Sequence, residues 1–254
     1  MSVVDGLPLT LWVTFWRLAQ RYHRYTVEGL EHLEVPEARL IVGYHGRPIA
    51  YDMCMLTVRL YDRLGYLPHG MLHRGVAYVP PMRWLADGLG FVITDGDALA
   101  DAIARREHVV TTPGGGEEAF RRFDDRYRVH WDGHVGYVRL AIKYGLKIVP
   151  VGAAGADDTF IGLNSGPALG RRLGLPRDYA WIVWLGIGPL GLYPFSPPFP
   201  VRMHQIVGPP IDPKDDGATD PDDRDGVRRV HDRVTAAVQD LLDRARLRRN
   251  EVRS

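Results

Sequence analysis

Short apolar runs alternate with helically periodic stretches along most of this chain. Leu40-Ile41-Val42, Val109-Val110-Thr111-Thr112 and Lys147-Ile148-Val149-Pro150-Val151 are brief, rich in β-branched residues and bounded by glycine or proline, which predicts strands. Tyr25–Gly29, Tyr66–His69 and Phe91–Ile93 are weaker candidates of the same kind. Between them Asp52–Leu64, Trp84–Leu89, Asp97–Arg106 and Val135–Tyr144 place apolar residues on one helical side. Asp97 offers a cap, Gly90 and Gly145 offer stops, and Pro48 marks a helix start just after the strand Arg39–Gly43. Strand and helix alternate from residue 25 to residue 151, which predicts an α/β fold with its functional loops at strand carboxyl ends.

The two flanks differ from this pattern. Leu7 to Trp16 is apolar and runs on into Arg17, Arg21, Tyr22 and Arg24. It is too short to span a bilayer and lacks a secretory cleavage pattern. It suits a helix at a membrane interface, and equally a helix packed on the body of the protein. Tyr179 to Val201 carries no charge, but its repeated glycines and prolines rule out a spanning helix. That stretch reads as a strand followed by an irregular apolar loop, with Trp181 to Phe199 a candidate lipid contact. Gln205–Ile211 predicts a closing strand, Asp212–Asp225 an acidic linker, and Val227–Arg248 an amphipathic helix. The expected organisation is an amphipathic helix over 1–24, one α/β domain over 25–211, and a linker with a C-terminal helix over 212–254.

Composition narrows the chemistry. The 254 residues are 45% hydrophobic and 25% charged, a globular balance. The net charge of +1 gives no overall field toward nucleic acid. The single cysteine, Cys54, excludes an intramolecular disulfide and a zinc site built on several thiolates. Within Met53-Cys54-Met55-Leu56 it reads as a buried structural thiol. His69 and His73 have helical spacing but no third ligand, so no metal is expected. Gly186-Ile187-Gly188-Pro189-Leu190-Gly191 matches a dinucleotide fingerprint, yet Pro194, Pro197 and Pro198 prevent the helix that a pyrophosphate needs. No serine stands in a G-x-S-x-G elbow, and Cys54 is in no nucleophile setting.

Two strand ends carry the candidate chemistry. Gly43-Tyr44-His45-Gly46-Arg47-Pro48 delivers a histidine from a strand, with Asp52 inside the following helix. That arrangement serves a general base, or it is an ordinary turn whose histidine only caps. Pro113-Gly114-Gly115-Gly116-Glu117-Glu118-Ala119-Phe120-Arg121-Arg122 follows another strand, and its glycines allow a close ligand approach. No Gly-Lys-Ser/Thr follows, so a nucleotide P-loop is not supported.

In order and spacing these blocks, with Trp131 to Ile142 and Lys147 to Val151 after them, resemble the glycerolipid (lysophospholipid) acyltransferase superfamily, the PlsC-like acyltransferases. The nearer resemblance is to its monoacylglycerol and diacylglycerol acyltransferase-like branch, which carries Pro-Gly-Gly in the second block. The resemblance covers roughly residues 25 to 211. It implies an α/β fold with a mixed sheet flanked by helices. It also implies transfer of a fatty acyl group from acyl-CoA or acyl carrier protein to a hydroxyl of a lipid-like acceptor. The expected enzyme is peripheral on the cytoplasmic, inner face of a membrane and needs no metal or redox cofactor. His45 would be the general base and Asp52 would orient it. The amides of Gly114, Gly115 and Gly116, with Glu118, would place the acceptor or the oxyanion, and Arg121 and Arg122 would meet phosphates. The alternatives are an acyltransferase acting on nitrogen or on a specialised metabolite, and a lipid-binding protein that keeps the fold without catalysis.

Three positions depart from the family pattern. The usual motif separates histidine and aspartate by four residues, whereas six stand between His45 and Asp52. Seven helical positions would rise about 10 Å, so either the loop folds back or another carboxylate serves. Glu117 replaces the arginine of relatives that use glycerol phosphate, which favours a neutral or amine-bearing acceptor. His134 stands where relatives commonly have arginine.

Overall fold

The computed structural model describes residues 6–71, 80–92, 96–175 and 182–251. The chain opens with helix α1 (Leu7–Tyr22) and strand β1 (Thr26–Glu28), then β2 (Arg39–Gly43), α2 (Tyr51–Leu64) and β3 (His69–Gly70). Next come α3 (Pro80–Gly88), α4 (Asp97–Ala104), β4 (Val109–Thr111), α5 (Gly115–Ala119), α6 (Gly136–Tyr144) and β5 (Lys147–Ala154). It closes with β6 (Ile161–Gly162), α7 (Gly166–Arg172), β7 (Gly186–Gly188), β8 (Gly191–Leu192), β9 (His204–Val207) and α8 (Arg224–Glu251).

Among the described residues the main sheet has six strands in the order β1-β9-β5-β2-β4-β3. The pairs β1–β9, β2–β4, β2–β5 and β3–β4 are parallel, and only β5–β9 is antiparallel. This is the mixed sheet flanked by helices that the resemblance implies. Because β4, β2 and β5 are parallel neighbours, their carboxyl ends leave the sheet on one edge. The loops after Gly43, Thr111 and Ala154 therefore meet there.

Alternation along β2 divides the core. Ile41 joins Val149, Val151 and Val207 under Met53, Leu56 and Leu60 of α2. Leu40 and Val42 face the other way, with Ile148 and Ile206, under α6 and α8. Each fully buried aliphatic side chain contributes roughly 1.5–3 kcal/mol. α8 crosses β5 so closely that a Cβ at Gly152 would lie 2.5 Å from the Leu242 amide nitrogen. Its residues Val227, Val230, Val234, Val238, Leu241, Leu242 and Ala245 are buried, as the periodicity predicts. The helix is thus a layer of the domain rather than an arm beside it.

α1 buries Leu9, Val13, Trp16 and Gln20 against α2 and α3. The Trp16 ring packs edge-on to Tyr51 at 5.3 Å, and Gln20 Nε2 donates to the Met55 carbonyl at 2.9 Å. The outward row Leu7, Leu11, Phe15, Leu18 and Tyr22 remains exposed. Both expectations for this helix therefore have a face to act on.

Several boundaries differ from the sequence expectation. α2 begins at Tyr51 rather than at Pro48. Residues 47–49 form a turn first, and Ala50 takes a left-handed φ of 52°. Asp97 is the first residue of α4 and Gly96 its cap. Val92 forms an isolated bridge with Met71 instead of a strand, and Ile93 lies outside the described residues. The closing strand spans His204–Val207, with Ile211 bridging back to Ile148. The glycine fingerprint forms the β7–β8 hairpin, paired to β6, with no helix after it.

Replacing Gly152 by alanine should lower unfolding stability by about 1–3 kcal/mol, the usual range for overpacking. Urea denaturation checks this. A stability unchanged by the methyl group would mean that α8 does not lie so close to β5.

Candidate active site at three strand ends

His45 lies two residues beyond β2 and is half-buried. Its backbone amide donates to Glu118 Oε2 at 2.8 Å, and its carbonyl accepts from Arg121 Nη2 at 3.4 Å. The ring nitrogen Nδ1 lies 3.2 Å from the Gly46 carbonyl oxygen. A carbonyl can only accept, so Nδ1 carries the proton and Nε2 keeps its lone pair. Burial pushes the imidazole down from 6.5 to about 4, outweighing the Gly46 hydrogen bond that favours the charged form. The ring is therefore neutral near pH 7, with Nε2 as its basic atom.

Asp52 sits in the first turn of α2 and is buried. The Ala50 amide donates back to the Gly46 carbonyl at 2.8 Å, so the loop folds on itself and returns Asp52 to Gly46. A Cβ on Gly46 would stand 2.5 Å from Asp52 Oδ1 and 2.4 Å from the Ala156 methyl carbon. Only glycine fits there. Asp52 makes no hydrogen bond to the imidazole among the described residues; its Oδ1 is buried without a partner. The two residues come together through the Gly46 peptide, and the tautomer is held by Gly46 rather than by Asp52. Burial pushes the Asp52 carboxyl up from 3.8 to about 7, against the opposing effect of the Asp52 and Met53 amides.

The glycine block supplies Glu118. Its fully buried carboxylate accepts from the His45 amide through Oε2 and from the His130 amide through Oε1, at 2.8 and 2.9 Å. Burial pushes its carboxyl up from the ordinary 4.5, and the Arg121 charge with the two accepted amides opposes that rise. The side chain folds back over Gly114, where an added Cβ would lie 2.1 Å from Cδ. Gly115 takes a left-handed φ of 47° and donates its amide to the Thr112 carbonyl at 3.1 Å. That amide is committed, while Gly114 and Gly116 have no acceptor for theirs among the described residues.

The two arginines of the block separate. Arg121 is buried, with its guanidinium 4.3 Å over the Tyr44 ring, donating to the Arg128 carbonyl at 2.8 Å and to Asp157 Oδ1 at 3.4 Å. It is held among these partners and also lines the polar cavity beside Arg122. Arg122 is exposed and pairs with both oxygens of Asp124, at 3.0 and 2.8 Å. It borders a polar cavity of about 730 Å³ lined also by Glu117, Asp125, His130, His134 and Arg171. Glu117 pairs with Arg171 at 2.8 Å across this cavity.

Sequence reasoning passed over Asp157. β5 continues three residues past Val151, and Asp157 follows on a 3₁₀ turn at Ala156–Asp158. The rule that functional loops leave the carboxyl ends of strands would have found it, had the strand been followed to Ala154.

His69, the other histidine weighed for metal, lies 2.7 Å from the Gly90 carbonyl and 2.8 Å from Glu107 Oε2. His73 lies outside the described residues, as does Trp181. Among the described residues no three His, Cys, Asp or Glu side chains are grouped to hold a metal ion. Cys54 is half-buried, and burial raises its thiol pKa.

Comparison with known proteins gives the fold and the family. An uncharacterized protein of Mycobacterium tuberculosis is 27% identical over 225 residues, covering 88% of this chain and 62% of that protein. The Mus musculus protein named "DGAT1/2-independent enzyme synthesizing storage lipids" is 26% identical over 245 residues, covering 94% of this chain and 66% of that one. The chain thus spans about two thirds or less of the length of these curated relatives. In fold it is similar to the crystal structure of the 1-acyl-sn-glycerophosphate (LPA) acyltransferase, PlsC, from Thermotoga maritima. The TM-score is 0.53 at 16% identity, over 92% of this chain and 79% of that one. A family model described as Acyltransferase matches residues 24–154, which include β2, His45, the glycine block and β5. The chain belongs to this acyltransferase family.

Proposed function

We propose that this protein transfers an acyl group from a thioester, acyl-CoA or acyl carrier protein, to a hydroxyl of a lipid-like acceptor at a membrane surface. The observation that carries the reading is the state of His45: a neutral ring, its Nδ1 proton held by Gly46, and an Nε2 without a partner among the described residues, where three strand ends meet. Nε2 removes the acceptor proton as the oxygen attacks the thioester carbonyl. The C–O bond forms, the C–S bond breaks, and the imidazolium returns its proton to the departing thiolate. The uncommitted amides of Gly114 and Gly116 are the candidate donors to the oxyanion. Asp52, one peptide away, stabilises the imidazolium through space once it is ionised.

The polar cavity is the candidate site for the acceptor headgroup. Its cations are largely matched: Arg122 with Asp124, Arg171 with Glu117, and Arg128 at 4.0 Å from Asp125. That balance supports an uncharged or amine-bearing acceptor over a phosphomonoester, and Arg122 then serves the rim rather than a phosphate. The exposed row of α1 and the apolar β7–β8 hairpin, where Leu190 and Phe195 are largely exposed, are the candidate lipid contacts. Tyr22 joins the two by donating its hydroxyl to the Pro198 carbonyl at 2.7 Å. No described helix is long and apolar enough to cross a membrane.

His45→Ala should abolish acceptor-dependent thiol release from acyl-CoA, followed with a thiol reagent and by mass spectrometry of the lipid product. Full turnover in that variant would falsify the mechanism and favour a protein that binds lipid without catalysis.

The acid limb of kcat/KM should have two steps, one as Asp52 protonates near pH 7 and one as His45 protonates near pH 4. Asp52→Asn should remove the upper step. It should also raise the melting temperature relative to wild type, by an increment that grows with pH. The folded Asp52 pKa of about 7 lies above its ordinary 3.8, so this group's stability contribution falls as pH rises through that window. His45 acts oppositely between about 4 and 6.5, in both proteins. A melting difference independent of pH would refute the assignment.

Leu11→Ser with Phe15→Ser removes apolar area from the exposed row of α1 and leaves its buried face intact. The pair should reduce flotation with phosphatidylcholine–phosphatidylglycerol vesicles without lowering the melting temperature. Unchanged flotation would exclude this helix from the membrane contact.

A further inference from the structure

Asp157 is fully buried and lies three residues beyond the stretch that matches the family model. Its partners are disproportionately those of the base. Oδ2 accepts from the Tyr44 hydroxyl and from the Tyr127 amide, the latter at 2.8 Å. Oδ1 accepts from Arg121 at 3.4 Å and lies 3.9 Å from Arg47 Nε. Tyr44 directly precedes His45, and Arg47 follows two residues later. Arg121 stacks on the Tyr44 ring and donates to the His45 carbonyl. The residues after Asp157 hold the same loop from its far side. Thr159 Oγ1 donates to the Arg47 carbonyl at 3.1 Å, and Arg47 returns a bond to the Phe160 carbonyl at 3.2 Å.

We propose that Asp157 is a positioning residue for the His45 base, acting through Tyr44 and Arg121 to fix the height and direction of the imidazole at the strand end. The proposal rests on the acyl-transfer reading for its kinetic consequence, but not for its structural one. Asp157 touches no reacting atom. It clamps the side chain before the base directly, and grips the carbonyl of the base itself through Arg121. The geometry has an electrostatic complement, since the Asp157 charge favours the protonated imidazole that forms during transfer. Displacing a base by a fraction of its hydrogen-bond reach is enough to cost roughly tenfold to a hundredfold in rate.

The test uses Tyr44→Phe and Asp157→Asn in the full chain, with the His45 ring labelled with nitrogen-15. Tyr44→Phe keeps the ring beneath Arg121 and deletes only the hydroxyl bond, so it reports even where Asp157→Asn does not fold. Two readouts are taken on each folded variant: the imidazole nitrogen shifts at neutral pH without substrate, and kcat against KM for donor and acceptor. The expected result is a shifted His45 signal with kcat down at least tenfold and both KM values within about twofold. An unchanged His45 signal in folded Tyr44→Phe overturns the proposal, whatever the rate. A shifted signal with kcat at the wild-type level overturns it too. Should wild type transfer no acyl group from any thioester offered, the acyl-transfer reading fails, and the nitrogen shifts still decide whether Asp157 positions the histidine.

Discussion

The buried quartet of Arg47, Arg121, Glu118 and Asp157 is the constraint on which the site depends, because each charge can stay out of water only while the others stay in place. The quartet sets two guanidiniums against two carboxyl groups, and its members come from three different strand ends. Glu118 ties the glycine block to the base, Asp157 ties the end of β5 to Tyr44, and the arginines close the gaps between them. Removing one partner of a buried pair commonly costs about 3–5 kcal/mol, whereas a well-packed apolar replacement of the whole group is often neutral. Such a network is therefore poor evidence for stability and good evidence for geometry. The incomplete pairing of the Arg47 and Arg121 Nε atoms points the same way. The protein tolerates an unfavourable interior to hold a histidine in one place.

α8 extends this constraint across the molecule. Its last turn brings Arg249 to Asp158 at 2.5 Å and to the Tyr127 hydroxyl at 2.8 Å. The Tyr127 amide in turn donates to Asp157. The same helix is pressed onto β5 at Gly152, so its axial position is set by the sheet and its end is read out at the loop. A segment expected as an amphipathic helix after a linker is thus continuous with the framework of the site.

The periodic features of the sequence were the legible ones. β2, α2, β4, α6, β5 and α8 all fall where apolar spacing put them, because burial on two sides or on one helical face writes itself directly into residue order. Loop geometry was not legible in that way. The start of α2 at Tyr51 follows from a turn closed by the Ala50 amide on Gly46, a hydrogen bond with no compositional signature. Arg121 was expected to meet a phosphate only through the family resemblance, and its burial was not foreseen. What makes it internal is the pairing with Asp157 and Tyr44, which are distant in sequence. Glu118 was named from the glycine block alone, and its contact with the His45 amide required the fold.

The six-residue separation of His45 and Asp52 is where these threads meet. A direct pair would have Asp52 hold the Nδ1 proton and stabilise the imidazolium together. Here the Gly46 carbonyl accepts both that proton and the Ala50 amide, and Asp52 packs against the same glycine with one oxygen unpaired. The two tasks are divided. Orientation falls to a peptide that does not titrate, so the neutral imidazole keeps its tautomer whether or not Asp52 is ionised. Charge falls to the buried carboxyls: Asp157 favours the protonated imidazole, and burial leaves Asp52 near its titration point at neutral pH. Proton uptake by His45 then strengthens the case for ionising Asp52, because opposite charges within a dry site favour one another. In the proposed mechanism His45 and Asp52 act on one another through space and across the Gly46 peptide rather than through a shared hydrogen bond. The glycine between them is the residue this arrangement cannot replace.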